Sequence, residues 1–92
     1  MIKSIDDGIE MVFGTGDIGV NSGGYVESDE KVGGFVIFYN QEPRPIGSPG
    51  DISPGSVVGV NDFPVVMKFH KTESIDVLIG ALLGAKNMMV NK

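Results

Sequence analysis

The sequence has no cysteine. No disulfide braces it, and no thiolate is there to ligate a metal or attack a substrate. Histidine and arginine occur once each, at His70 and Arg44. A lone histidine among scattered carboxylates lacks the ligand spacing of a metal site and has no local partner for a triad. Basic clusters are missing too. The net charge is −5, and the lysines are dispersed. That balance excludes general binding to long nucleic acid, which depends on grouped lysine and arginine. The longest helical apolar stretch, near Ile75 to Ala85, is too short and interrupted to span a bilayer. No apolar run follows a basic head at MIKSIDDGIEM, so no secretory leader is expected. The absence of cysteine suits a cytoplasmic setting.

What is present belongs to a folded chain. Hydrophobic residues make up 41% and charged residues 21% of the 92 positions. That composition is globular, and the length suits one domain covering residues 1–92. A chain this short buries only about 60–65% of its unfolded surface, so the core is thin and self-association is a natural source of stability. Charge is uneven. Residues 1–62 hold three basic and ten acidic side chains, a net −7, whereas residues 63–92 hold four basic and two acidic, a net +2.

The pattern along the chain predicts an α+β fold. It consists of a small, mainly antiparallel sheet of four to six strands with one carboxyl-terminal helix packed on it. IDDGIEMVF reads as a turn at Asp7-Gly8 followed by a strand over Ile9–Phe13. Residues 14–34 hold seven glycines in twenty-one positions. They read as one or two glycine-bulged strands, with turns near Asn21–Gly24 and Asp29–Lys31. FVIFYN, Phe35–Asn40, is a strand apolar on both faces, so both faces should be covered. Val57–Val60 reads as a short strand. FPVVMKFHK reads as a half-buried strand, with Phe63, Val65, Met67 and Phe69 on one side and Val66, Lys68 and His70 on the other. Thr72 is then a natural N-cap, and Glu73 and Asp76 suit the positive end of a helix. Ile75, Leu78, Ile79, Leu82 and Met89 form one apolar stripe. Val77, Ala81, Leu83 and Met88 are apolar on other faces, which leaves the helix short of protein to pack against.

Three motifs bear on function. GTGDIG, Gly14–Gly19, has the spacing of a dinucleotide fingerprint, but VNSGGYVE follows it and cannot open the helix that such a site needs, so a glycine-bulged strand or loop is expected. Gly80-x-x-x-Gly84 lets another backbone approach the helix, either its own sheet or a second subunit. QEPRPIGSPGDISPGS, residues 41–56, gathers four of the five prolines, three glycines, three serines and the only arginine. Pro43 and Pro45 stiffen the backbone around Arg44, so the loop loses little entropy on engaging a ligand. A guanidinium offers a planar donor fork for phosphate or carboxylate, and Gly47 and Ser48 supply backbone N–H groups and a hydroxyl. Tyr39 lies just upstream and can stack on a base. Lys68 and His70 share a strand face and can add donors. The alternative for the loop is a surface turn with Arg44 paired to a carboxylate such as Glu42.

The short acidic cysteine-free chain, its glycine-rich strands and its ending FPVVMKFHKTESIDVLIGAL resemble small orphan proteins of bacteriophages. Some of those are anti-defence sponges, oligomers that sequester the cyclic nucleotide signals of bacterial immunity without chemistry. The resemblance concerns general character, with residues 63–83 as its best part, and transfers no binding residue to any position. Together these readings lead to a non-enzymatic binding protein for a small anionic ligand, such as a cyclic nucleotide. It needs no cofactor and acts as a homo-oligomer in the cytoplasm of the infected cell. Ligand-contacting candidates are Arg44, Tyr39, Ser48, Gly47, His70 and Lys68. The alternative is a structural or interaction module that binds a host protein.

Overall fold

A computed structural model of the chain describes residues 1–28, 31–49, 59 and 62–90. Five strands and one helix follow one another: β1 (Ile2–Ile5), β2 (Gly8–Met11), β3 (Ile18–Ser28), β4 (Lys31–Asn40), β5 (Val65–Phe69) and α1 (Thr72–Val90). The fold is α+β, and every strand pairing is antiparallel. The strands form two sheets, a β1–β2 hairpin and a three-stranded β3–β4–β5 sheet with β4 in the centre.

The first hairpin turns one residue earlier than expected. Ile5 pairs with Gly8, so the two-residue loop is Asp6-Asp7 and Gly8 already belongs to β2. The strand before that turn, β1, has too little alternation to stand out in the sequence. Lys3 faces Glu10 across the ladder, with Nζ and Oε1 3.4 Å apart. Asn40 at the end of β4 ties this hairpin to the main sheet. Its Oδ1 accepts from Ile2 N at 2.8 Å, and its Nδ2 donates to Ile2 O at 3.1 Å.

β3 runs straight through the expected turn at Asn21–Gly24, pairing with β4 from Ile18↔Asn40 to Val26↔Val32. Consecutive glycines permit a turn without requiring one, and here a long partner strand extends them. An irregularity falls between Val26 and Ser28, and Ser28 pairs with Lys31; Asp29 and Glu30 of the expected turn near Asp29–Lys31 lie outside the described residues. The expected strand at Val57–Val60 lies outside the described residues.

β4 buries side chains on both faces, as its composition requires. Ile37 is fully buried, and Phe38 is buried on the opposite side. On the Phe38 side, Ile2, Ile18 and Phe38 form the core, with Met11, Val36, Val65 and Met67 packed around them. Phe13 meets Phe38 edge-on, with centroids 6.1 Å apart. On the Ile37 side, aromatic rings lie down over glycines of the facing strand. A side chain at Gly19 would collide with the Tyr39 ring, one at Gly23 would meet Phe35 Cζ at 2.6 Å, and one at Gly33 would meet Tyr25 Cζ at 2.5 Å. The glycine density of β3 and β4 thus makes room for rings. Phe63 precedes β5 and reaches the ring of Tyr39, with centroids 5.6 Å apart, so it sits on the face opposite to the one that strand alternation assigned it. Pro64 stands directly before β5, an edge strand, where its missing N–H breaks no ladder bond.

α1 begins at Thr72, whose hydroxyl donates to Glu73 Oε1 at 2.9 Å, and it carries Glu73 in its first turn. Ile75 approaches the sheet at Gly34. Among the described residues, no helix is long and apolar enough to cross a membrane.

Candidate functional site

The residues after Phe13 cannot continue β2. Gly14 and Gly16 adopt φ of 139° and 74°, values that disfavour a side chain, and the segment forms a loop that re-enters the sheet at Ile18. The part of the proline-rich segment that follows β4 docks on this loop. Gln41 N donates to Asp17 O at 2.9 Å and Arg44 N donates to Gly16 O at 3.2 Å. Gln41 Nε2 adds a bond to Gly16 O at 3.0 Å. A Cβ at Gly16 would overlap the Arg44 carbonyl. Gly16 of GTGDIG therefore serves a close backbone approach between two loops. An extended strand follows it in place of a helix, so the dinucleotide reading does not apply.

The two loops enclose a cleft of about 460 Å³. Phe13, Ile18, Val20 and Ile46 give it apolar walls, and Asp17, Gln41, Ser48 and the glycine backbones supply polar groups. A shallower depression beside it holds Thr15, Pro43 and Arg44. Pro45 opens a tight turn whose fourth residue, Ser48, donates both its N–H (3.0 Å) and its hydroxyl (2.6 Å) to the Pro45 carbonyl. Gly47 completes that turn with φ of 91°. Arg44 Nη1 donates to Pro49 O at 3.1 Å, and Nε lies 3.5 Å from Glu42 O. The guanidinium thus grips its own loop through backbone carbonyls, and the Glu42 contact uses the main chain of that residue.

Two electrostatic details distinguish the cleft. Asp17 accepts from the terminal ammonium of Met1 at 2.9 Å, and that ammonium also donates to Val12 O at 2.6 Å. The bond from the ammonium, which outweighs partial desolvation, holds the Asp17 carboxyl below its ordinary value of 3.8. Gln41 Oε1 is buried and has no hydrogen-bond partner among the described residues. An orphaned buried acceptor costs about 1–3 kcal/mol, and a matching N–H donor entering the site would recover much of that.

Of the residues singled out from sequence, Gly47 and Ser48 line the cleft and Arg44 lines the adjoining depression. Tyr39 stands behind the cleft wall, over Gly19, and its hydroxyl donates to Asn21 Oδ1 at 2.7 Å. Lys68 belongs elsewhere. It pairs with Phe35, and its Nζ stands 5.6 Å from the Tyr25 ring centroid. His70 is exposed just past the end of β5. Neither lines the cleft. Sequence reasoning missed Gln41 and the Phe13–Val20 wall. The glycine spacing of residues 14–19 was the available signal, but it pointed to a different motif. Among the described residues, no group of three or more histidine, aspartate or glutamate side chains is placed to hold a metal ion. Comparison with known proteins finds no matching family model, no similar curated protein and no similar solved structure.

Proposed function

We propose that the protein binds a small anionic, nucleotide-like ligand without transforming it, in the manner of a sponge that sequesters a cyclic nucleotide signal in the cytoplasm of a host cell. The observation that carries this reading is a largely apolar cleft lined by Gln41, whose Oε1 is buried and unmatched among the described residues, and bordered by Arg44 and Ser48. A nucleobase suits such a place. Its faces suit the walls formed by Phe13, Ile18 and Ile46, and an amino N–H at its edge would satisfy the orphaned acceptor once the Gln41 amide turns toward the cleft. A phosphate at the rim would meet Arg44 and the N–H groups near Gly47. Among the described lining residues the one carboxylate is Asp17, and the ammonium beside it holds it ionised, which makes it a weak base and lessens its repulsion of an anion. These groups hold and orient a ligand.

Calorimetric titration with a panel of cyclic mono- and dinucleotides tests the reading. Binding by at least one is expected. Arg44→Ala should weaken it by about 1.5–3 kcal/mol, the range for hydrogen bonds to charged groups, and Arg44→Lys should restore little. Fold stability should change by only ~0–1 kcal/mol, because Arg44 grips an exposed loop. No binding by any nucleotide, together with recovery of one defined host protein, would replace this reading with the second one, an interaction module. The exposed apolar length of α1 is what favours that alternative.

A further inference from the structure

On the Ile37 side of the main sheet, an aromatic residue repeatedly stands opposite a glycine: Tyr39 opposite Gly19, Phe35 opposite Gly23 and Tyr25 opposite Gly33. Glycine inside a strand lowers stability, and it often marks a place where something approaches the backbone closely. Here the rings occupy that space. A Cβ at Gly23 or Gly33 would stand 2.6 or 2.5 Å from a ring carbon, and one at Gly19 would overlap the Tyr39 ring. Each ring therefore rests on the facing strand, and its exposed part is the side away from the glycine. Tyr25, Phe35 and Tyr39 are all half-exposed, as is Phe63 beside Tyr39. Ile37, between Phe35 and Tyr39, is fully buried.

The rings form a row. From Gly33, which lies under Tyr25, to Tyr39 the strand runs about 20 Å. The other side of the sheet is taken. The hairpin packs around Phe38, and Ile75 of α1 meets Gly34, which shares that side. Polar groups punctuate the row. Asn21 pairs with Ile37, and its Oδ1 accepts from the Tyr39 hydroxyl at 2.7 Å. Lys68 is exposed opposite Phe35, with Nζ 5.6 Å from the Tyr25 ring centroid.

Charge narrows the ligand. The chain carries a net −5, Glu27, Asp29 and Glu30 follow Tyr25 closely in sequence, and the only arginine, Arg44, belongs to the proline-rich loop. Those surroundings oppose a polyanion. Rings laid along a strand suit a ligand that repeats flat apolar faces and carries hydroxyls without charge. Pyranose units do so. The C–H groups of one sugar face pack on a ring, while the hydroxyls at its edge reach amide and ammonium groups.

We propose that the row Tyr25–Phe35–Tyr39 is a binding surface for a neutral glycan chain, which stacks sugar units on the rings and bonds hydroxyls to Asn21 and Lys68. Phe13 and Val20 of the cleft belong to the Phe38 side, so this surface stands apart from the ligand proposed there.

Tyrosine emission tests it directly, because the chain has two tyrosines and no tryptophan, and both tyrosines belong to the row. The intact protein is titrated with neutral oligosaccharides built from glucose, xylose or N-acetylglucosamine, from disaccharides to hexasaccharides. At least one series should change the emission, with affinity rising as the chain lengthens. Tyr25→Leu and Phe35→Leu should each weaken that binding about two- to tenfold, the worth of one aromatic contact, with circular dichroism checking the fold. The wild-type titration needs neither variant. A panel that leaves the emission unchanged would overturn the proposal. So would undiminished affinity in both folded variants, or quenching by a single-stranded oligonucleotide in place of any sugar.

Discussion

Gly16 and Gly14 sit two residues apart in one loop, both with positive φ, yet only Gly16 is pressed against another backbone. Alanine at either position forces a conformation that costs roughly 1–3 kcal/mol. At Gly16 the added methyl also overlaps the Arg44 carbonyl and threatens the bonds that Gly16 O accepts from Arg44 N and Gln41 Nε2, each worth about 0.5–1.5 kcal/mol. Gly16→Ala should therefore destabilise the fold clearly more than Gly14→Ala in urea titrations, and it should also open the cleft. Equal effects would mean that the loop contact carries no stability. Asp17 gives a pH signature. Its carboxyl is held below 3.8 by the Met1 ammonium, so the folded state binds its proton less readily than the unfolded chain. The stabilisation is complete above the ordinary value and disappears as pH falls through the lowered one. Asp17→Asn should flatten that acidic part of the stability profile and leave the slope near neutrality unchanged.

At the scale of elements, rings lying on glycines add side-chain packing to the backbone ladder that joins β3 and β4. Glycine is a poor strand residue, and alanine substitution in a strand ordinarily helps. Gly23 and Gly24 test which effect wins. A Cβ at Gly23 meets Phe35 Cζ at 2.6 Å, whereas one at Gly24 meets Val32 Cγ1 at 3.3 Å. Gly23→Ala should cost about 1–3 kcal/mol, the range for overpacking. Gly24→Ala should lie within about 1 kcal/mol of the parent. Differential scanning calorimetry of the two variants decides it. A stabilised Gly23→Ala would show that Phe35 swings aside freely.

At the scale of the whole molecule, the radius of gyration is 14.8 Å, against about 12 Å for a compact chain of this length. The excess fits an element that does not lie on its own body, and that element is α1. If a second copy covers it, stability must depend on protein concentration, since association favours the folded state by mass action. The melting temperature should fall on dilution. A hundredfold change in concentration is worth at most about 2.7 kcal/mol per dimer. An unchanged melting temperature across that range would show a stable monomer.

Much of this organisation is legible in the residues themselves. Phe35–Asn40 reads as a doubly covered strand because both of its faces are apolar, and β4 is the buried centre of the sheet. Val65–Phe69 and the helix from Thr72 follow from periodicity and terminal charge, which act over a few residues. The unbroken β3 does not follow from sequence, because a glycine pair is equally compatible with a turn and an extended strand until a facing strand selects one. The same holds for β1, which depends on the Asn40 clamp 38 residues away. Gly47, Ser48 and Arg44 of the cleft and its border were legible as candidates, but the opposite wall depended on tertiary structure. Gln41 and Gly16 are unremarkable where they stand in the chain, and they acquire meaning only when the two loops touch. Local propensity is a property of neighbours in sequence, whereas an orphaned acceptor or a forbidden methyl is a property of neighbours in space.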